Sequence, residues 1–420
     1  MKRLPVNKRK IINDPVHGFI KVPYNIIYDL MEHPFFQRLR RIKQLGLTHL
    51  VYPGAMHTRF QHALGAMHLM SSAVDTLRSK GHEITTEEAK GVHAAILLHD
   101  IGHGPFSHVL EHSLVEVSHE EISQLMMQQL DAELNGQLSI AIAIFNNSYH
   151  KRFLHQLVSS QLDMDRLDYL KRDSFFSGVS EGVVGSDRII KMLNVVNDKL
   201  VIESKGIYSI EKFLIARRLM YWQVYLHKTA LVAEQMLILL LQRAKYLVAK
   251  GETIFAPPHL LFFMEHKPSL INFKTNKEAM KNFVLLDDDD IMSSIKTWTS
   301  HKDSILSSIA KGFVNRELWR IKIEDQPIKT DEIKQLKRKA KEHFQLKALK
   351  EANYFVFSGT ITNNAYSKND EKIEILYKNN ELKDIATASD MLNLSVLGKT
   401  VRKHYLCYPK SIDDNFNEMN

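Results

Sequence analysis

Residues 97 to 108 read LLHDIGHGPFSH, three histidines and an aspartate set around two glycines and a proline behind an apolar helix end. A solvated loop would use Ser, Asn and Lys here, whereas imidazoles beside a carboxylate suit a metal site or an acid–base site. That donor set favours borderline-to-hard divalent ions such as Zn, Fe, Ni, Co or Mn. On a regular helix His99 and Asp100 would point about 100° apart. At a helix terminus unwound by Gly102, both can reach one ion. Two ligands do not hold an ion tightly, so others must come from elsewhere in the chain.

Two segments offer them. In TRFQH (58–62), Arg59 and His62 stand at i and i+3 on one helix face. The small residues Ala63, Gly65 and Ala66 follow, so a second helix can approach closely. In SSQLDMDRLDYLKRD (159–173), Asp165, Tyr169 and either Arg172 or Asp173 share a helical face. An acid, a phenol and a further charged group are costly to bury without a purpose. The plainer alternative is that these acids pair with Arg166 and Arg172 on a solvated surface.

The elements that must position these residues belong to a chain of 420 residues, long enough for a sizeable core and more than one domain. Its 44% hydrophobic and 25% charged content exclude the disordered and fibrous classes. One cysteine, Cys407, excludes an internal disulfide framework and points to a reducing compartment. The apolar run LVAEQMLILLL falls short of the roughly 20 residues of a membrane span. The basic start MKRLPVNKRK leads into no apolar segment, so no signal peptide is read and a cytoplasmic location is expected. The net charge is +8, with Lys and Arg scattered evenly. That balance favours small anionic substrates such as nucleotides over nucleic acid, which stays open but is not favoured.

Residues 11 to 24, IINDPVHGFIKVPY, read as two short extended pieces about a turn at Asp14-Pro15 and Gly18. From Ile26 to about Tyr246 apolar spacings of three and four predict helices, with LIARRLMYWQVYLHKTALVAEQMLILLL among the best. Breaks fall at Pro53-Gly54, Gly102 to Pro105 and Gly178 to Gly185. The character changes near Gly251, which predicts a helical core over 1–250 and an α+β region over 251–420. Asp287 to Asp290 predict a capped helix start rather than a cation site. A basic helix is expected from Lys329, and strands in NYFVFSGTI and KIEILYK. The expected fold class is mainly α, with a short N-terminal β-hairpin and a smaller α+β C-terminal region.

The order His62, then His99-Asp100, then Asp165 resembles the ligand order of the HD-domain phosphohydrolases. Longer segments carry the resemblance further: NDPVHG (13–18), FFQRLRRIKQLG (35–46), YPGAMHTRFQHALG (52–65), HDIGHGPFSH (99–108) and DMDRLDYLKRDSFFSG (163–178). These are similar to the deoxynucleoside triphosphate triphosphohydrolase branch of that family, over roughly residues 10 to 230. The resemblance implies an HD-type helical core that hydrolyses a dNTP, with dGTP one candidate, to the deoxynucleoside and inorganic triphosphate. It implies a divalent metal (Mn, Mg, Fe, Zn, Ni or Co) on His62, His99, Asp100 and Asp165. It further places Arg59 and Arg166 on phosphate, and His103, His108, Glu111 and His119 at the reacting α-phosphate. Tyr169 would lie under the sugar and Asp173 would hold its 3′-OH. Gln44 and Leu45 would crowd the 2′ side, while Arg217, Tyr225 and Lys228 would contact phosphate and base. Leu226 stands where a mammalian member has glutamine, which leaves base preference open. Glu32, Gln37 and Arg40 lie where relatives bind an activating nucleotide between subunits, so a homo-oligomer (dimer or tetramer) is expected. Amphipathic helix surface is the plainer reading of those three.

Other residues read as structural. Ser118 and Glu121 form a capping box, His57, His68 and His93 match no ligand position, and His17 reads as a turn residue. Two rivals remain: an HD phosphohydrolase on another phosphoester, and a nucleotide sensor without turnover.

Overall fold

The computed structural model describes residues 10–106, 109, 113–363, 372–390 and 401–413. His108 and Glu111 lie outside the described residues. The chain is mainly α-helical, opens with a short β-hairpin and carries small sheets toward its C-terminus, as expected. Strands Ile11–Asp14 and Gly18–Lys21 pair antiparallel with Ile12 opposite Ile20. Asp14 builds their turn, its Oδ1 accepting from Val16 N (3.0 Å) and His17 N (2.9 Å).

Helices Arg59–Ser79 and Thr86–Leu98 form the centre. Both are buried over most of their circumference, so each needs neighbours on several sides. Thr85 and Glu88 cap the second reciprocally, through Thr85 N to Glu88 Oε2 (2.8 Å) and Glu88 N to Thr85 Oγ1 (3.2 Å). Helix Met164–Ser177 starts at its capping Asp163 and stops at Gly178, φ 74°. It packs on the first helix at Gly65, where a Cβ would run into the side chains of Asp168 and Arg172. The small residues after His62 do admit a second helix.

Two expectations fail. The stretch from Ile26 to Tyr246 is not helical throughout, because Leu193–Val196 and Lys199–Glu203 form an antiparallel hairpin. Asn197 and Asp198, both left-handed (φ 48° and 61°), make its two-residue turn. That Asn-Asp pair was the available signal, and the helical spacing around it masked it. Nor is LIARRLMYWQVYLHKTALVAEQMLILLL one helix. Ile207–Met220 runs into a π-helical turn, Tyr221–Tyr225, and Lys228–Ala249 sets off at 55° to it. No single helix among the described residues is long and apolar enough to cross a membrane.

Beyond Gly251, Asp287 caps helix Asp288–Trp298 through Asp289 N (3.0 Å), and the basic helix spans Thr330–His343. Strand Glu374–Leu376 returns to pair in parallel with Lys199–Glu203. Arg320–Glu324, Val401–Tyr408 and Phe357–Asn363 form a separate three-stranded sheet in that spatial order.

One buried histidine makes the fold sensitive to acid. His93 is 2% exposed; its Nδ1 lies 2.6 Å from Ala89 O and its Nε2 2.9 Å from Ser71 Oγ. A carbonyl only accepts, so the Nδ1–H tautomer is fixed and Ser71 donates to Nε2. Burial pushes the imidazole down to about 4, against the weaker upward pull of the Ala89 carbonyl. The folded chain therefore needs the neutral ring, while the unfolded chain protonates near pH 6.5. This stability is complete above about pH 6.5 and drains away as pH falls toward 4, about 3 kcal/mol in all and about 2 kcal/mol by pH 5. Urea unfolding at pH 7 and pH 5 should show that loss in the wild type and a flatter response in His93→Gln.

Candidate metal centre

Three helix ends converge on one point. Helix Arg59–Ser79 contributes Arg59 and His62 from its first turn, and helix Met164–Ser177 contributes Asp165 from its first turn. His99 and Asp100 follow the last residue of Thr86–Leu98. Ligand atoms of His62, His99 and Asp100 lie within 4.8 Å of one another. Asp165 Oδ1 sits 3.0 Å from His62 Nε2 and 3.5 Å from His99 Nε2. The fold thus brings together four groups spread over 104 positions of sequence.

The hydrogen bonds behind the imidazoles decide which nitrogens face that point. His62 Nδ1 is 2.8 Å from Asp168 Oδ2, and His99 Nδ1 is 2.7 Å from Ile96 O. Both partners are pure acceptors, so both Nδ1 atoms carry protons and both Nε2 atoms turn inward. There they are buried without an aligned hydrogen-bond partner among the described residues. Two inward-facing Nε2 atoms beside two carboxylates can hold a cation, and a divalent metal fits the set. With protons alone the same field acts on the rings. Burial disfavours a charged His62, yet hydrogen bonds and charge from Asp165 and Asp168 prevail and raise it to about 10. His99 rises likewise, burial being outweighed by Asp100 and Asp165. Burial would raise the Asp100 carboxyl, but His99, His103 and Arg59 hold it well below the usual range.

Sequence reasoning missed the residues that aim His62. Asp168 is fully buried, and besides His62 it accepts from Arg172 Nε (2.9 Å) and Nη2 (3.1 Å). Its Oδ1 also meets His17 Nε2 at 2.6 Å. Arg172 Nη1 continues the chain of contacts to Asp14 Oδ2 at 2.8 Å. His17 is thus no mere turn residue: Asp14 makes the turn, and the His17 ring abuts the carboxylate that fixes His62 Nδ1. The available signal was Asp168 and Arg172 at i and i+4 on an otherwise apolar helix face. The choice left between Arg172 and Asp173 resolves with both residues engaged, in different places.

Asp173 faces the far side. His57 Nε2 (2.8 Å) and Tyr225 OH (2.8 Å) both bond its carboxylate. Tyr169 stands between this group and the His62 cluster, its ring 6.1 Å from Tyr225 and 6.5 Å from His62. Gln44 is tied by its backbone N to His57 O (3.0 Å), and its buried Oε1 has no hydrogen-bond partner among the described residues; Leu45 packs on the core beside it. Arg59 Nη1 reaches Asp100 Oδ2 at 2.5 Å, and His103 Nε2 reaches Asp100 Oδ1 at 3.3 Å. His119 stacks on His103, centroids 3.8 Å apart at 16°. Gly102 does not unwind the helix, which has already ended at Leu98; it admits His119 and Ser123, whose backbone a Cβ would strike. Burial, reinforced by Arg59, pushes His103 down to about 3, so this ring is neutral at pH 7.

Arg166 is engaged by Asp163, the cap of its own helix. Arg217 lies 5.9 Å from the Tyr221 ring, and Lys228 is exposed at the start of its helix. Gln37 Oε1 accepts from Arg40 Nε (2.8 Å), Arg40 covers the Phe60 ring, and Glu32 is exposed.

Known proteins similar to this chain belong to the HD group. Residues 59–173 match the model of the HD domain, and residues 184–255 that of an HD associated region. Uncharacterized protein YwfO of Bacillus subtilis is 32% identical over 428 residues, covering 97% of this chain and 94% of that protein. The deoxynucleoside triphosphate triphosphohydrolase SAMHD1 homolog of Dictyostelium discoideum is 29% identical, over 77% of this chain and 62% of that one. The crystal structure of a phosphohydrolase from Bacteroides thetaiotaomicron superposes with a TM-score of 0.92 at 57% identity, covering 95% of this chain and 99% of that one.

Proposed function

This chain belongs to the HD-domain phosphohydrolase family related to the deoxynucleoside triphosphate triphosphohydrolases, and we propose that it cleaves a dNTP into deoxynucleoside and inorganic triphosphate. The observation that carries the reading is the convergence of His62, His99, Asp100 and Asp165 beside Arg59 on one side and the Tyr169–Asp173–Tyr225 wall on the other. A divalent cation bound by those four residues would neutralise polyphosphate charge and polarise the α-phosphorus. Arg59, already at the cluster's edge, offsets charge that builds on the phosphate oxygens. Neutral His103 can accept a hydrogen bond from the attacking water, while His119, stacked on it, passes a proton to the departing 5′-oxygen. The water oxygen bonds to the α-phosphorus, the bond to O5′ breaks, and the proton ends on the nucleoside hydroxyl. Asp173 accepts from the 3′-OH, and Tyr169 stacks under a sugar whose 2′ carbon Gln44 and Leu45 leave no room to substitute.

On the same reading Arg166 would exchange Asp163 for a substrate phosphate, with Arg217 and Lys228 contributing at the base and terminal phosphate. Gln37 and Arg40, with Glu32 beside them, make the surface on which an activating nucleotide would act across a homo-oligomer.

The test is incubation of the full chain with each dNTP and Mn²⁺ or Mg²⁺, with and without a second nucleotide. Release of intact triphosphate is the expected product, with dGTP the first substrate to try. Orthophosphate, or turnover only of a monophosphate, cyclic nucleotide or oligonucleotide, would overturn the reading.

A further inference from the structure

The acidic run at Asp287 carries more carboxylates than its helix start needs. Asp287 supplies the cap and exchanges a reciprocal bond with Asp290, whose Oδ2 accepts from Asp287 N at 3.0 Å. Asp288 is nevertheless 1% exposed. Its Oδ2 accepts from Lys43 N (3.1 Å) and Lys43 Nζ (3.2 Å), and its Oδ1 from Phe106 N (3.3 Å). Burying a carboxylate costs several kcal/mol unless its lone pairs are met, so these long-range bonds, not the cap, account for its place.

The two partners adjoin the segments that carry Gln44–Leu45 and His103. Lys43 immediately precedes Gln44 and Leu45, and its neighbours are stitched to the start of the Arg59 helix, with Arg59 N to Ile42 O (3.0 Å) and Gln44 N to His57 O (3.0 Å). Phe106 follows His103 by three residues and sits at φ 51°, a left-handed conformation that an aromatic residue adopts only when its surroundings impose it. Arg38, also 1% exposed, ties the His103 segment to the residues just before Asp288. Its Nη1 donates to Ile101 O (3.0 Å) and His103 O (2.7 Å), while Nη2 and Nε donate to Phe283 O (3.2 Å) and Val284 O (3.3 Å). A guanidinium aimed at carbonyls of two distant segments acts as a clamp between them.

We infer that Asp288 and Arg38 are positioning residues that lock the sugar-side loop at Gln44–Leu45 to the phosphate-side loop at His103, with residues 283–288 as their common anchor. The kinetic part of this inference rests on the dNTP reading; the mechanical part does not. A dNTP's sugar and α-phosphate are then gripped at a fixed separation, and any movement of 283–288 shifts both grips together.

The test compares wild type, Asp288→Ala and Asp288→Asn by amide hydrogen exchange, Mn²⁺ affinity and kinetics. In Asp288→Ala, exchange should rise about tenfold in 42–46 and 101–106 while 60–70 stays unchanged. Mn²⁺ affinity should hold within about threefold while KM for the dNTP rises about tenfold and the preference for dGTP over GTP drops about fivefold. Asp288→Asn keeps an oxygen acceptor for Phe106 N but sets an amide N–H against Lys43, so protection should return in 101–106 and not in 42–46. Should Asp288→Ala not fold, Lys43→Met, which removes only the Nζ contact, must give the same pattern at smaller amplitude. A variant with unaltered exchange and kinetics overturns the inference. So does loss of kcat with KM and sugar preference unmoved and exchange raised everywhere, the mark of a purely structural residue. If the wild type releases triphosphate from no dNTP, the functional reading fails and the exchange pattern alone decides the clamp.

Discussion

Asp165→Ala is expected to lower hydrolysis by about 10³-fold or more, since the residue would hold the ion on which charge neutralisation depends. Its side chain is 25% exposed, against 0% for His62, so removing it opens no closed cavity. Folding should therefore survive, with Tm close to the wild type, and metal content of the purified protein should fall in step with activity. Asp100 is a poorer choice for this purpose because its carboxylate also neutralises Arg59 at 2.5 Å, and its loss would leave that guanidinium buried without it. Full activity in Asp165→Ala would remove the metal mechanism altogether.

Asp168→Ala should fail differently. Its carboxylate faces Arg172, His17 and His62 at once, and both it and Arg172 are fully buried. Removing one partner of such a group typically costs about 3–5 kcal/mol, because the other charge is left behind in a low-dielectric interior. Denaturant unfolding should show that loss. The variant that does fold should bind metal about 10- to 100-fold more weakly, since nothing then fixes His62 Nδ1 as the protonated nitrogen. Asp168→Asn keeps one acceptor oxygen and should fall between. If Asp168→Ala binds Mn²⁺ as the wild type does, the carboxylate is structural only and His62 is aimed by packing.

These two acids show how far the sequence can be read. Asp165 is legible because it shares a helical face with Tyr169 and Asp173, and because its order after His62 and His99-Asp100 matches a known pattern. Asp168 is not, although it lies about one turn further along the same helix and is the more deeply buried of the two. Periodicity says which side chains share a face; it does not say that His17, 151 residues earlier, will stand opposite. Asp287 to Asp290 divide in the same way. Their role at a helix start is legible, because capping is decided within four residues. The use of Asp288 as a tie to Lys43 and Phe106 is not.

Donor chemistry, helical core, opening hairpin and caps can all be read along the chain, since each depends on residues within a turn or two of one another. Three-dimensional packing was needed to settle which imidazole nitrogens face inward, where the 207–249 helix breaks, that 193–203 is a hairpin, and that residues 283–288 bond to Arg38, Lys43 and Phe106. Local free energies are set by neighbours in sequence, whereas a buried charge or lone pair takes its partner from whatever segment the fold brings within about 3 Å.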